Sequence, residues 1–281
     1  MKAALSLLTL FACAAQTLSA QDAKADTVKY ILALQDPATG AFKVTAAGKP
    51  GLRACNGGVK ALKALGQPVP QLDKVKAFVE GCYDAKAGTF AEPGGKPDVA
   101  INAVGLLIAL DLGLPREKFA GAMTYLKDHA KTFEEVRIAA AAVEAWNVAD
   151  CPFSLDAWLK TAADEAATDA RAAGSALAMT LRLGKPSPNG VAQLAAITAG
   201  QNADGGWGVQ GAAGSDLETC YRVVRALKLA RSATTNPARV RAFAAKCKNA
   251  DGGYGVKPGE PSSMSGTYYA VVIEKFLSDA K

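Results

Sequence analysis

Apolar residues recur along this chain at helical spacing. Val75, Phe78, Val79 and Cys82 stand at i, i+3, i+4 and i+7, and Ile101, Val104, Gly105 and Ile108 repeat the series. No stretch alternates with period two, so the pattern predicts helices and no strands. Gly66, Gly113 and Gly184 suit the left-handed residue that closes a helix, and Pro115, Pro186 and Pro237 lie at or near the starts of the next ones.

The pattern is also repeated at longer range. Four segments, LALQDPATGAF, VEGCYDAKAGTF, TAGQNADGGWG and AKCKNADGGYG, share a helix end, a glycine-rich turn and an aromatic, namely Phe42, Phe90, Trp207 and Tyr254. Thirteen residues after three of these aromatics stand Cys55, Cys220 and Thr267, each opening an apolar helix. A feature present once per repeat is read as structural, the aromatic packing against its glycine turn. The second helices end near Gly66, Gly113, Asn147, Gly184, Arg231 and Asp279, at intervals of 47, 34, 37, 47 and 48 residues. Six hairpins follow, and the two short intervals mark the third and fourth units, which lack the glycine loop. The second helix of each pair is apolar and rich in small residues, as in VAINAVGLLIAL, whereas the first carries charge on one face, which sorts them into inner and outer layers. Closure protects both end faces of such an array, so the expected fold is an all-α (α/α)6 toroid, the first unit beside Tyr30 meeting the last beside Phe276.

Composition narrows the setting. Of 281 residues half are hydrophobic and 21% charged, which excludes a disordered or collagenous chain. The net charge of +6 is spread without a polybasic block, so neither nucleic acid nor a membrane surface is expected as partner, and any anionic ligand needs a local argument. Residues 1–20, MKAALSLLTLFACAAQTLSA, read as a signal peptide, which leaves one domain over 21–281, exported to the periplasm or the medium. No later run is apolar enough to cross a bilayer. Lipid attachment at Cys13 is the weaker alternative, since Phe11 fits that pattern poorly. The remaining cysteines, Cys55, Cys82, Cys151, Cys220 and Cys247, are odd in number and without CxxC spacing, and read as buried free thiols.

Gln201-Asn202-Ala203-Asp204-Gly205-Gly206-Trp207 resembles the Q-x3-G-x-W repeat of squalene and other terpene cyclases. Asp251-Gly252-Gly253-Tyr254-Gly255 resembles the related loop of protein prenyltransferase β subunits. Leu217-Glu218-Thr219-Cys220-Tyr221 is similar to the D-x-C-Y of those subunits, which supplies two zinc ligands at an inner-helix start. The resemblance implies a zinc-dependent transferase with a diphosphate site and a partner α subunit. Two positions depart from it. The third ligand, a histidine before the Thr of the last repeat, is Gly266 here, and the chain's one histidine is His129, at the end of an outer helix. The loop that should carry diphosphate-binding cations, residues 209–215, has none. No cofactor is therefore expected, zinc included, because a catalytic zinc takes three protein ligands.

Candidate site residues follow from what does not repeat. Tyr221, Tyr268 and Tyr269 lie on predicted inner helices of neighbouring units and suit a cavity wall; Glu218 and Cys220 join them through the family-like motif. Asp98 and Asp216 at helix starts read as caps. No residue is assigned a catalytic role. The reading favours a noncatalytic module that holds a hydrophobic small molecule or a polypeptide in the toroid. The alternative is an active prenyltransferase-like or other cavity enzyme with an altered site around Glu218 and Cys220.

Overall fold

The computed structural model describes residues 22–279; the expected signal peptide and Cys13 lie outside that span. Twelve α-helices form six hairpins among the described residues. They are α1 (22–33) with α2 (Leu52–Ala64), α3 (Leu72–Gly81) with α4 (Val99–Asp111), and α5 (Ala120–His129) with α6 (Phe133–Trp146). The other three are α7 (Asp156–Asp164) with α8 (Ala170–Arg182), α9 (Gly190–Ala199) with α10 (Leu217–Leu229), and α11 (Pro237–Lys246) with α12 (Met264–Ser278). Even-numbered helices pack side by side around an axis, and α12 packs back on α2, so the inner ring is closed. They run parallel: Arg222 and Ser175, each six places into its helix, are 3.3 Å apart, and Tyr221 and Tyr268, each five places in, are 2.9 Å apart.

Closure joins the first unit to the last through named contacts. Thr27 Oγ1 donates to Gly252 O at 3.0 Å, Lys248 Nζ to Ala23 O at 2.9 Å and Met264 N to Val44 O at 2.8 Å. The Tyr30 ring lies on Gly253 so closely that a Cβ there would come within 2.6 Å of Cζ. Phe276 is not at this seam. It shares with Tyr269, seven residues earlier, the α12 face turned toward α10, and Lys228 Nζ sits 4.5 Å from its ring centroid.

The loops latch the two rings together. Each repeat aromatic turns its backbone N–H inward to the first turn of the following inner helix: Phe42 N donates to Cys55 Sγ (3.3 Å), Trp207 N to Cys220 Sγ (3.2 Å) and Tyr254 N to Thr267 Oγ1 (3.1 Å). The thirteen-residue spacing is thus the length of loop that brings a buried donor to its acceptor. In the second unit Phe90 N does the same with Asn102 Oδ1 at 2.8 Å, twelve residues on, which is why the sequence match skips that unit. Phe42, Phe90 and Trp207 are fully buried and Tyr254 largely so. Their rings rest on helix glycines: a Cβ on Gly105 would lie 2.3 Å from Phe90 Cγ, and one on Gly58 2.8 Å from Phe42 Cγ.

Local chemistry accounts for the helix ends. Asp98, Thr132, Asp169, Asp216 and Ser263 cap α4, α6, α8, α10 and α12, each accepting from a backbone N–H three residues on. Gly51 cannot cap α2, and Glu92 of the next unit does so instead, accepting from Leu52 N at 2.9 Å. Inner helices close on a residue of positive φ at Gly66, Gly113, Asn147, Gly184 and Arg231. One expectation needs correcting: residues Tyr83–Asp84 (β1) and Thr89–Phe90 (β2) form a two-residue antiparallel pair. It arises where the glycine turn at residues 85–88 folds the second unit's loop on itself, and is too short to leave an alternating pattern.

The core is an annulus between the rings, occupied by Ile31, Leu62, Phe119, Leu126, Trp207 and Phe243, all at or near zero exposure. Gly105→Ala is expected to destabilise the protein by about 2–3 kcal/mol, because the Phe90 ring beneath it has no space to retreat into. Urea unfolding followed by circular dichroism measures this, and a change under about 0.5 kcal/mol would show that the ring is not held as described.

Candidate functional site

The inner faces of the ring line a central cavity of about 380 Å³ that is open to solvent on one side. Its wall is more charged than the composition of the inner helices suggests. Arg53 and Lys60 reach it from α2, Arg137 from α6, Arg182 from α8, and Arg222 and Arg225 from α10, facing only Glu144 and Glu218 among acidic lining residues. Tyr221, Tyr268 and Tyr269 form the aromatic part of the wall, and α4 contributes the apolar Val104 and Leu107.

The charges sort into two tiers along the axis. Near the helix N-termini, Arg222, with a side chain 8% exposed, binds Glu218 (2.6 Å) and Glu134 (2.8 Å); Arg171 binds Glu218 (3.0 Å) and Arg137 binds Glu134 (2.9 Å). Burial works against ionisation of Glu134, yet Arg222 and Arg137 outweigh it and bring its pKa to about 2. Glu218 is lowered in the same way, burial being overcome first by Arg222 and then by Arg171. Near the C-termini, Glu144 Oε2 lies 2.7 Å from Arg225 Nη2 and 3.3 Å from Arg182 Nε, while Lys60 pairs with Asp111 at 2.7 Å. Arg182 is brought down to about 10 by burial and by Arg225 beside it.

Between the tiers Tyr268 donates to the Tyr221 hydroxyl at 2.9 Å, and the rings of Tyr221 and Tyr269 stand 5.3 Å apart. Burial alone would raise the Tyr221 phenol, but Arg225, Arg182 and the bond from Tyr268 reverse this and lower it, while Tyr268 is raised by burial and by Tyr221. These tyrosines sit deep in the molecule with a face open to the cavity.

Of the five expected site residues, Glu218, Tyr221, Tyr268 and Tyr269 share this wall and Cys220 does not. Cys220 is fully buried between the rings, its Sγ accepting from Trp207 N, and burial holds its thiol far above the usual range. One residue's step along a helix turns a side chain by about 100°, which separates Cys220 from Tyr221. Glu218 is held by two arginines and is no free carboxylate. The cavity arginines escaped the sequence reading. Arg222 and Arg225, one turn apart on α10, were the available signal, a charged stripe on a helix otherwise assigned to the interior. Cys55, Cys82, Cys151, Cys220 and Cys247 are all free thiols, and all but Cys151 are buried.

A closed α/α toroid with a cavity on its axis is the class that this fold and site define. The chain matches the prenyltransferase alpha-alpha toroid domain over residues 1–110 and 175–281, and it belongs to that family. The unmatched stretch spans α5 to the start of α8, where the third and fourth units lack the glycine loop. A comparison with curated proteins finds no match to this chain.

The zinc implied by the resemblance does not fit these residues. Cys220 is committed to Trp207, and Glu218 to Arg171 and Arg222. At Gly266 a Cβ would lie 2.3 Å from Tyr254 O, so the histidine position is closed to any side chain. No group of three potential metal ligands gathers among the described residues. Metal analysis is expected to find zinc well below one per chain, with Cys220→Ser lowering the Tm rather than the metal content; one zinc per chain lost in that variant overturns the assignment.

The lower tier predicts acid sensitivity. Glu134 has a folded-state pKa below its ordinary value of 4.5, so its contribution to stability is complete above 4.5 and is lost as pH falls toward 2. Thermal unfolding between these pH values is expected to show a shallower acid slope in Glu134→Gln than in wild type; equal slopes would remove Glu134 from the network.

Proposed function

We propose that this chain is an exported, noncatalytic binding protein, one toroid domain over residues 21–281 that receives a small organic ligand in its central cavity. The observation that carries this reading is the wall, where three tyrosines and a surplus of arginines face α4's apolar side chains across about 380 Å³. That volume suits a small molecule rather than a polypeptide segment, since ligand pockets of this kind start at about 300 Å³. A purely hydrophobic ligand suits it poorly, because burying guanidinium groups against hydrocarbon carries a large desolvation cost. An amphiphile with an acidic head satisfies both halves of the wall. A transferase working through Glu218 and Cys220 would need the first freed from two arginines and the second turned out of the core.

Mass spectrometry of small molecules released from the purified protein tests this, with Tyr221→Ala, Tyr268→Ala as comparison. Truncating fully buried aromatics costs ~3–5 kcal/mol, but these rings face the cavity, so the double variant is expected to melt within a few degrees of wild type and to lose most released ligand. Severe destabilisation with unchanged ligand content would return both residues to the core and overturn the reading.

A further inference from the structure

The upper tier of the cavity is short of hydrogen-bond acceptors. Arg182 is 8% exposed, and its Nε, though 3.3 Å from Glu144 Oε2, has no hydrogen-bond partner among the described residues. Arg225 Nε is also without one, its Nη2 alone reaching that same oxygen at 2.7 Å. The Tyr221 hydroxyl accepts from Tyr268, and its own proton meets no acceptor among the described residues. One carboxylate oxygen thus serves two guanidiniums; their Nε atoms are closed off from the cavity, whereas the terminal nitrogens of Arg182 and Nη1 of Arg225, which bond to no described residue, line it with Tyr221. Cavity-facing donors without a protein acceptor favour an acceptor among the cavity's contents.

We propose that Arg182, Arg225 and the Tyr221 hydroxyl form a site for one carboxylate, the head of a small organic acid whose carbon skeleton lies along Val104, Leu107 and Ile138. This rests on the reading of the central cavity as a ligand site. Charge selects the head. Two guanidiniums share Glu144 and leave a single positive charge, which a carboxylate balances and a diphosphate exceeds. Shape agrees, because a planar guanidinium meets a planar carboxylate through paired hydrogen bonds. Glu144 then acts as a resident competitor that holds the arginines in place while the cavity contains water.

The charged and titratable groups that line the cavity with Tyr221 are Glu218, Arg222 and Arg225 on its own helix, Arg182 on α8, Arg53 and Lys60 on α2, Arg137 and Glu144 on α6, and Tyr268 and Tyr269 on α12, of which Arg225, Arg182, Tyr268 and Lys60 act on it most. The cations favour its phenolate, so Tyr221 loses its proton at lower pH than an ordinary tyrosine. A neutral Tyr221 donates to the carboxylate and a phenolate repels it, so affinity falls as pH rises through that range.

Calorimetric titration of the full mature chain with sodium octanoate, 1-octanol and inorganic pyrophosphate tests the site. Octanoate is expected to bind, Arg182→Gln to weaken it by about tenfold to a hundredfold, as for a lost charge-assisted bond, and Glu144→Gln to strengthen it severalfold by removing the competitor. Tyr221→Phe, which keeps the ring, is expected to remove the part of the alkaline loss of octanoate affinity that sets in below about pH 10, where Arg182 itself begins to give up its charge. Equal binding of octanol and octanoate with no effect of Arg182→Gln would leave a cavity ligand in place and overturn the carboxylate site. Tighter binding of pyrophosphate than octanoate would overturn the single-charge argument. Failure of both octanoate and octanol to bind the folded wild-type chain would overturn the cavity reading itself. Should Arg182→Gln not fold, the Glu144→Gln gain and the Tyr221→Phe pH profile decide the matter, and absence of both rejects the proposal.

Discussion

Six parallel helices closed into a ring leave more room on their axis than aliphatic side chains of ordinary length fill, and water or ligand occupies what remains. The hydrophobic core is therefore displaced outward, into the annulus between inner and outer helices, where Phe42, Phe90, Trp207 and Phe243 lie fully or almost fully buried. Each inner helix then has two environments to satisfy, dry on the outside and wet on the axis. Small residues and β-branched side chains serve the first, and the arginines and tyrosines of α8, α10 and α12 serve the second. Every feature of the candidate site follows from this division.

The ring is held to that division by the loop latches. A glycine turn delivers an aromatic ring into the annulus and its backbone N–H to the inner helix, where Cys55, Asn102, Cys220 or Thr267 accepts it. Sulfur, amide oxygen and hydroxyl each occur in this place, so the acceptor varies while the loop length hardly does. This also accounts for the cysteine at the family-like position. In α10 it completes a latch, a role in which the uncharged thiol suffices and a thiolate would be penalised by burial.

The architecture was legible in the sequence because spacing, glycine and aromatic recur together, and a chain with six such units has few ways to bury its apolar faces. The helix ends were legible as well: Asn147 and Arg231, in the count beside Gly66, Gly113 and Gly184, adopt the same positive φ despite their side chains. The site was legible only in part. Tyr221, Tyr268 and Tyr269 stood out because they do not repeat, whereas nothing in the repeat pattern singled out Arg182, Arg222 and Arg225. Local pattern tells which face of a helix is polar. It does not tell whether the water outside that face is bulk solvent or the contents of a cavity, and only ring closure distinguishes the two. Cys220 failed for the converse reason, since motif likeness names a residue and not the direction its side chain takes.

The pairing of the cavity arginines bears on how a ligand would be held. Left unpaired around so small a space, the guanidiniums of Arg137, Arg182, Arg222 and Arg225 would repel one another and suffer desolvation without compensation, and the ring would depend on its ligand to fold. Glu134, Glu144 and Glu218 remove that dependence by neutralising most of the charge in advance. The consequence is a trade between self-sufficiency and affinity, because an incoming anion gains only the difference between its own contacts and those it disturbs. In the lower tier each acid contacts two arginines at hydrogen-bonding distance, and little is left to gain. In the upper tier Glu144 makes one good contact and one off-axis contact, so the uncompensated donors, and with them the selectivity of the cavity, are concentrated beside Tyr221.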